Sequence, residues 1–217
     1  MFKYGLPDYD TMGLGMKRNE ILREIITNDI ASDRMVREFA RLERFGLVME
    51  LLTKRKSIQI GLDYEDVEFC FQNSRFVEDY SAEFRRPKRI TKHFWRKVSH
   101  FLYDATLFAK SGIFMLEVGS DLTDRELTSL ADFFSDFSDH FLQNADYFVG
   151  IGVKTNPKVK GMCFSVVSFY PKTVRLCESC YANVAKYIAE DDDEYINVCG
   201  QCTPKRARHA ERVAAHK

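Results

Sequence analysis

At 217 residues, with 45% hydrophobic and 29% charged side chains, the chain has room for one large domain, or for a core with a satellite, of ordinary soluble globular material. Its 32 Lys and Arg balance 32 Asp and Glu, so no global field draws it to nucleic acid or membrane, and local charge runs carry the information instead. No stretch reaches the ~20 consecutive apolar residues of a membrane-spanning helix, and Gly5, Pro7, Asp8, Asp10, Gly13 and Gly15 are incompatible with a secretory signal.

The opening residues are turn-rich. Ile21, Leu22, Ile25 and Ile26 then recur at helical spacing. Asn28 and Asp29 interrupt them, and Ser32 is placed to cap a second helix carrying Met35, Val36, Phe39, Ala40 and Leu42 on one face. Gly46 ends it by supplying the left-handed position past its last turn. Residues 47–52 read as a strand, 53–56 as a basic turn with Lys54, Arg55 and Lys56, and 57–60 as a returning strand. Helix, turn, helix and basic-tipped hairpin resemble the winged-helix family of DNA-binding domains. The resemblance implies that Arg34, Arg37, Arg41 and Arg44 lie along or beside a recognition helix and that Lys54, Arg55 and Lys56 touch phosphate from the wing. The residues alone also fit an amphipathic helix pair with solvated charges. Residues 67–72 alternate as a strand and close this first segment, 1–72.

Residues 73–172 form the second segment. A polar connection leads into a run without acids: Arg85, Arg86, Lys88, Arg89, Lys92, Arg96 and Lys97, with His93, Phe94 and Trp95 interleaved. Cations neutralise phosphate and exposed aromatic rings stack on unpaired bases, so the run is a candidate single-strand surface. The competing reading makes Phe94, Val98, Phe101, Leu102 and Ala105 the buried stripe of a helix from about residue 91 to 110, with the charges as its wet face. Trp95 arbitrates between them. Gly112 is expected to stop that helix. Residues 113–118 are an apolar strand of the kind buried on both sides.

Thr123 opens a helix with Glu126 completing a capping box. Its core face is Leu127, Leu130, Phe134, Phe137 and Phe141, and Asp124, Asp132, Asp136 and Asp139 lie on or near the solvated side. Residues 147–153 and 162–170 are further strands around an Asn156-Pro157 turn. The expected architecture is α+β, an α/β sandwich with helices on one face of a sheet. Gly119-Ser120-Asp121-Leu122-Thr123, following an apolar strand, resembles the second domain of the bacterial tubulin-like division protein family. That resemblance implies a topology only, since the family's nucleotide-binding domain is absent.

Residues 173–217 carry the strongest signal. Cys177-x-x-Cys180 and Cys199-x-x-Cys202 are two knuckles able to set four thiolates around one tetrahedral cation, the geometry zinc demands. Two short strands and the acidic turn 190–194 separate them, and Gly200 permits the tight second knuckle. Thr203 and Pro204 open an expected basic helix over 205–216 with Lys205, Arg206, Arg208 and Arg212. The order is that of a treble clef. It resembles the four-cysteine zinc domain of the Clp unfoldase X subunit, which implies Cys177, Cys180, Cys199 and Cys202 as zinc ligands and a role in dimerisation or docking. Four thiolates fill the metal's shell, so the zinc is structural rather than catalytic.

Cys70 and Cys163 stand alone, and with four cysteines at metal spacing a reducing, cytoplasmic setting fits better than secretion. No phosphate loop, Rossmann glycine fingerprint, HExxH or Gly-x-Ser-x-Gly elbow occurs. The expectation is a non-enzymatic, zinc-stabilised regulator contacting nucleic acid or a nucleic-acid-handling machine; the alternative is a protein-docking adaptor.

Overall fold

The computed structural model describes residues 18–212 apart from 29, 54–56, 73, 88–89, 142–147, 181–182, 192–193 and 203–210. The fold is organised around one apolar strand. β1 (Ile58–Ile60), β2 (Phe76–Phe84), β3 (Ser111–Val118), β4 (Phe148–Thr155) and β5 (Met162–Tyr170) form a sheet in the order β1-β4-β3-β5-β2. All eight residues of β3 are buried, so both of its faces need a cover. Ile113 and Met115 point into one core, and Phe114, Leu116 and Val118 into another. That is the period-two alternation of a strand with apolar residues on both sides.

Four helices cover the first face: α1 (Arg18–Thr27), α2 (Asp33–Arg41), α3 (Phe45–Thr53) and α4 (Tyr64–Phe71). Phe39, Phe45, Phe71 and Phe169 meet there edge to face or tilted, with ring centroids 5.1–6.0 Å apart. The second face carries α5 (Lys92–Thr106) and α6 (Asp124–Phe141). Ser32 caps α2 by accepting from the Met35 amide, and Thr91 caps α5 by accepting from Phe94. The Thr123–Glu126 capping box forms in both directions.

The link from β4 to β5 sets the strand order. β4 runs parallel to β3 on one side, and β5 antiparallel to it on the other, so the connection at 156–161 must cross the C-terminal end of β3. The Asn156 amide donates to the Val118 carbonyl at 2.7 Å, and the Gly119 amide to that of Gly161 at 3.4 Å. A Cβ on Gly119 would lie 2.3 Å from the Val159 oxygen, and one on Gly161 would lie 2.2 Å from the Phe84 oxygen. Only glycine fits either position.

Several expectations are corrected. Residues 47–52 are helical, because Phe45, Val48 and Met49 bury at intervals of three and four, and Gly46 lies inside α3 instead of ending α2. β1 pairs with β4, so the expected wing strand at 47–52 does not exist. Residues 67–72 belong mostly to α4 rather than a strand. Alternation would bury Phe69 with Val67 and Phe71, but Phe69 is 44% exposed and Cys70 is buried in its place. Asp63 and Asp66 form the capping box that opens this helix.

The polar connection after residue 73 contains β2, paired with β5 at all nine positions. α5 ends at Thr106, with Leu107 as its C-cap and Phe108 in the left-handed region at φ 67°, while Gly112 lies within β3. Helices cover both faces of the sheet, and the first segment shares its core with β3 and β5. The boundary expected at residue 72 therefore falls inside one packed unit.

Candidate metal centre

The C-terminal hairpin is β6 (Tyr187–Asp191) and β7 (Glu194–Val198), with β8 (Glu211–Arg212) added on the other edge of β6. It brings the two knuckles together. The ligand atoms of Cys177, Cys180, Cys199 and Cys202 all lie within 4.8 Å of one another, and Cys180 Sγ is 4.0 Å from Cys199 Sγ. Tetrahedral bonds of about 2.3 Å place sulfurs roughly 3.8 Å apart, so the four thiols stand where one metal ion could be held. Cys177 and Cys199 are buried, and Cys180 and Cys202 lie on the solvent side.

Backbone bonds fix this arrangement. The Cys202 amide donates to the Cys199 carbonyl at 3.1 Å, closing the second knuckle, and the Cys177 amide donates to Asn183 at 2.8 Å. Asn183 Nδ2 donates to Cys199 Sγ at 3.6 Å. Glu178 accepts from both the amide and the side chain of Asn197. Burial pushes the Cys177 thiol up, but the amides of Cys199, Cys180 and Ser179 outweigh it and bring the thiol down to about 6. Cys202 is pushed up to about 12, first by its hydrogen bond with Cys199 and then by that with Cys180. Four sulfurs this close cannot all ionise without a cation among them, a charge that a metal ion held there would supply.

The module is seated on the core. Lys186, only 4% exposed, sends its ammonium into the last turn of α5, 2.9 Å from the Asp104 carbonyl and 3.2 Å from that of Ala105. Its nitrogen also lies 4.1 Å from the centre of the Tyr80 ring. The Val184 amide and the Tyr80 hydroxyl donate to the two carboxylate oxygens of Glu78. Between module, β2 and α5 lies a cleft of about 450 Å³. Burial pulls the Lys186 amine down to about 8, against the opposing pull of Glu78 and Asp104. Lys186, Glu78 and Tyr80 belong to no sequence motif; a lone lysine inside Val184-Ala185-Lys186-Tyr187-Ile188 is the one signal of this contact in the sequence.

The basic residues separate. Trp95 is 9% exposed, stacks on Phe133 with centroids 4.3 Å apart, and donates to Ser129, so it offers no face to a base. This is a correction: the second-face core needs that ring more than solvent does. Arg86 forks onto Glu126 at 2.7 and 2.9 Å and also reaches Ser120. Arg85, Lys92, Arg96 and Lys97 are exposed. Lys54, Arg55, Lys56, Lys88, Arg89, Lys205, Arg206 and Arg208 lie outside the described residues. Arg212 is in β8, paired opposite Tyr187, where a helix was expected. Of the expected recognition helix, Arg34, Arg37 and Arg41 are exposed, whereas Arg44 bonds to Asp79 and Ser81.

Fold and site together define an α+β protein with a C-terminal four-cysteine cluster able to hold a metal ion. No protein-family model matches the chain, and no curated protein matches it. Among solved structures it is similar to a point mutant of FtsZ from M. jannaschii, at 17% identity and TM-score 0.45, over 76% of this chain and 48% of that one. It is also similar to an empty FtsZ dimer from the same organism, at 18% and 0.44, over 76% and 47%. Thiamine-monophosphate kinase from Stenotrophomonas maltophilia follows at 12% and 0.33, over 70% and 48%. The chain spans about half the length of each of these structures. No helix among the described residues is long and apolar enough to cross a membrane.

Proposed function

We propose that this chain is a non-enzymatic docking adaptor that binds another protein and is stiffened by a structural zinc ion in a reducing, cytoplasmic setting. One observation carries the reading: the cysteine cluster supplies four thiols to one point, which fills a tetrahedral shell and leaves no position for substrate. Such a site rigidifies a surface; it does not react. Zinc is the metal that four thiolates at knuckle spacing favour. The resemblance to the zinc domain of the Clp unfoldase X subunit supports docking as the use of that surface.

A second reading keeps nucleic acid as the partner, on the strength of Arg85, just past the end of β2, and Lys92, Arg96 and Lys97 on the outer side of α5, all of which stay exposed. It has lost Trp95 as a stacking ring and Arg86 as a free cation.

Metal analysis and oligonucleotide titration test both. The docking reading expects one zinc per chain and a cobalt-substituted spectrum of tetrahedral thiolate type. It also expects capture of a defined protein partner that survives nuclease treatment. Binding of labelled single strands that falls steeply between 50 and 200 mM salt is the outcome that favours nucleic acid. A chain without bound metal overturns the zinc assignment.

A further inference from the structure

Two charged groups lining the cleft between the cysteine module and the core, Lys186 and Glu78, are engaged inside the protein. Lys186 gives its hydrogens to two carbonyls and the Tyr80 face, and Glu78 accepts at both oxygens. The cleft is therefore a seam. What it seals is the C-terminus of α5, where the last carbonyls of a helix have no partner within the helix. Asp104 O has Lys186 as its donor, and Ala105 O receives Lys186 together with Ser168 Oγ at 2.8 Å and Tyr170 Oη at 3.1 Å. This end carries no glycine: Phe108 takes the left-handed conformation at φ 67°, which is costly for a bulky residue. A cation there also meets the negative end of the helix dipole.

The segment carrying Lys186 is tied to the knuckle region by backbone bonds and to the core by the Val184 amide on Glu78. The Lys186 amide donates to Val198, the neighbour of Cys199, at 2.9 Å. The Cys177 amide donates to Asn183, and Ala185 to Arg175 at 2.9 Å. The module's own buried cluster consists of Cys177, Val198 and Cys199, too small a core to fold without the metal. Lys186 also has to be forced into place, because a desolvated ammonium prefers water.

We propose that the cysteine cluster is a metal-dependent latch on the core: with metal bound, Lys186 closes the end of α5, and with metal lost, Lys186 withdraws, the last turn of α5 frays and the seam along β2 opens. This rests on the zinc reading above. It adds that metal occupancy is read out in the core, at 102–110, where Asp104 lies 82 positions before Lys186, and not only within the module. Opening would bare Glu78, Tyr80 and the outer edge of β2, the surface the module now covers.

Hydrogen exchange on the full chain tests the latch, in zinc-loaded protein, in chelator-treated protein and in zinc-loaded Lys186→Met, with the metal content of each sample measured. Peptides covering 102–110 report the latch, 177–202 the module, and 113–118 the core. Chelation is expected to speed exchange in both 102–110 and 177–202 while 113–118 stays protected. Lys186→Met is expected to keep one zinc and a protected 177–202, yet to exchange roughly tenfold faster in 102–110, the equivalent of about 1.4 kcal/mol. Faster exchange confined to 177–202 after chelation overturns the proposal while leaving structural zinc intact. So does an unchanged 102–110 in zinc-replete Lys186→Met. If chelation melts 113–118 as well, the metal supports the whole fold and the latch is wrong. Absence of zinc from the wild-type chain removes both this proposal and the reading beneath it.

Discussion

Lys186 Nζ stands 2.9 Å from the carbonyl oxygen of Asp104, so a cation from the cysteine module completes the last turn of a core helix. The two residues are 82 positions apart in the chain. Their meeting makes the module part of the domain it follows.

The pH dependence of that contact has a defined sign. Burial pulls Lys186 down to about 8 from the ordinary 10.5, against the opposing influence of Glu78 and Asp104. Between these values the unfolded chain binds more protons than the folded one, so this group's contribution rises with pH across the window and is lost as pH falls through about 8. A neutral amine still has two hydrogens for the two carbonyls. In zinc-containing buffer, the Tm of wild type relative to Lys186→Met is expected to increase from pH 7.5 to 9.5. A constant difference would show that Lys186 keeps its charge throughout.

Cys199→Ser removes a buried ligand and the sulfur that Asn183 donates to. Zinc content is expected to fall from one per chain to near zero, with loss of protection over 177–202. A structural zinc contributes apparent free energies of about 10–16 kcal/mol in small modules, far more than this buried cluster can replace. Metal analysis with hydrogen exchange checks it, and full occupancy in the variant contradicts the site.

Arg86 and Glu126 provide a test at acid pH. Burial works to raise the Glu126 carboxyl, but hydrogen bonds from the Thr123 backbone and from Arg86 outweigh it and hold it below its ordinary 4.5. The contribution of a lowered carboxyl is complete above its unfolded value and disappears as pH falls through the folded one. Arg86→Met is expected to cost about 1 kcal/mol at pH 7, and the gap to wild type should be smaller at about pH 3, the bonds of Arg86 to Ser120 and Asp121 remaining. Chemical denaturation at both pH values measures it.

Gly161→Ala places a methyl 2.2 Å from the Phe84 oxygen. Because the obstacle is backbone, β2 or the crossing connection has to shift, at a cost of about 1–3 kcal/mol. Gly46→Ala meets nothing within 4 Å and lies inside α3, where alanine is the better helix former by about 1 kcal/mol. The two variants should move Tm in opposite directions.

Elements whose burial pattern has one period were legible in the sequence. β3 is mostly apolar, α5 has a three-and-four stripe, and α6 adds its own capping box, so all three form, with α5 ending at Thr106, short of the expected 110. Segments with two compatible periods misled. In residues 67–72, Val67, Phe69 and Phe71 suggest a strand, whereas Val67, Cys70 and Phe71 suggest a helix, and contact with β3 and β4 chose the second. At 47–52 nearly every residue is apolar, so periodicity could not discriminate.

The two cysteine pairs were legible in the sequence alone, because knuckle spacing is local; the β6–β7 hairpin then brings the four thiols to one point. The N-cap residues Ser32 and Thr123 were readable because each bonds to an amide three residues on. Only the tertiary structure decided that Trp95 is buried against Phe133 rather than offered to a base, that Arg86 belongs to Glu126, and that Lys186 closes a helix 82 residues earlier. Those outcomes depend on which surfaces the sheet order brings face to face. The loop crossing β3 sets that order, and its influence is long-range.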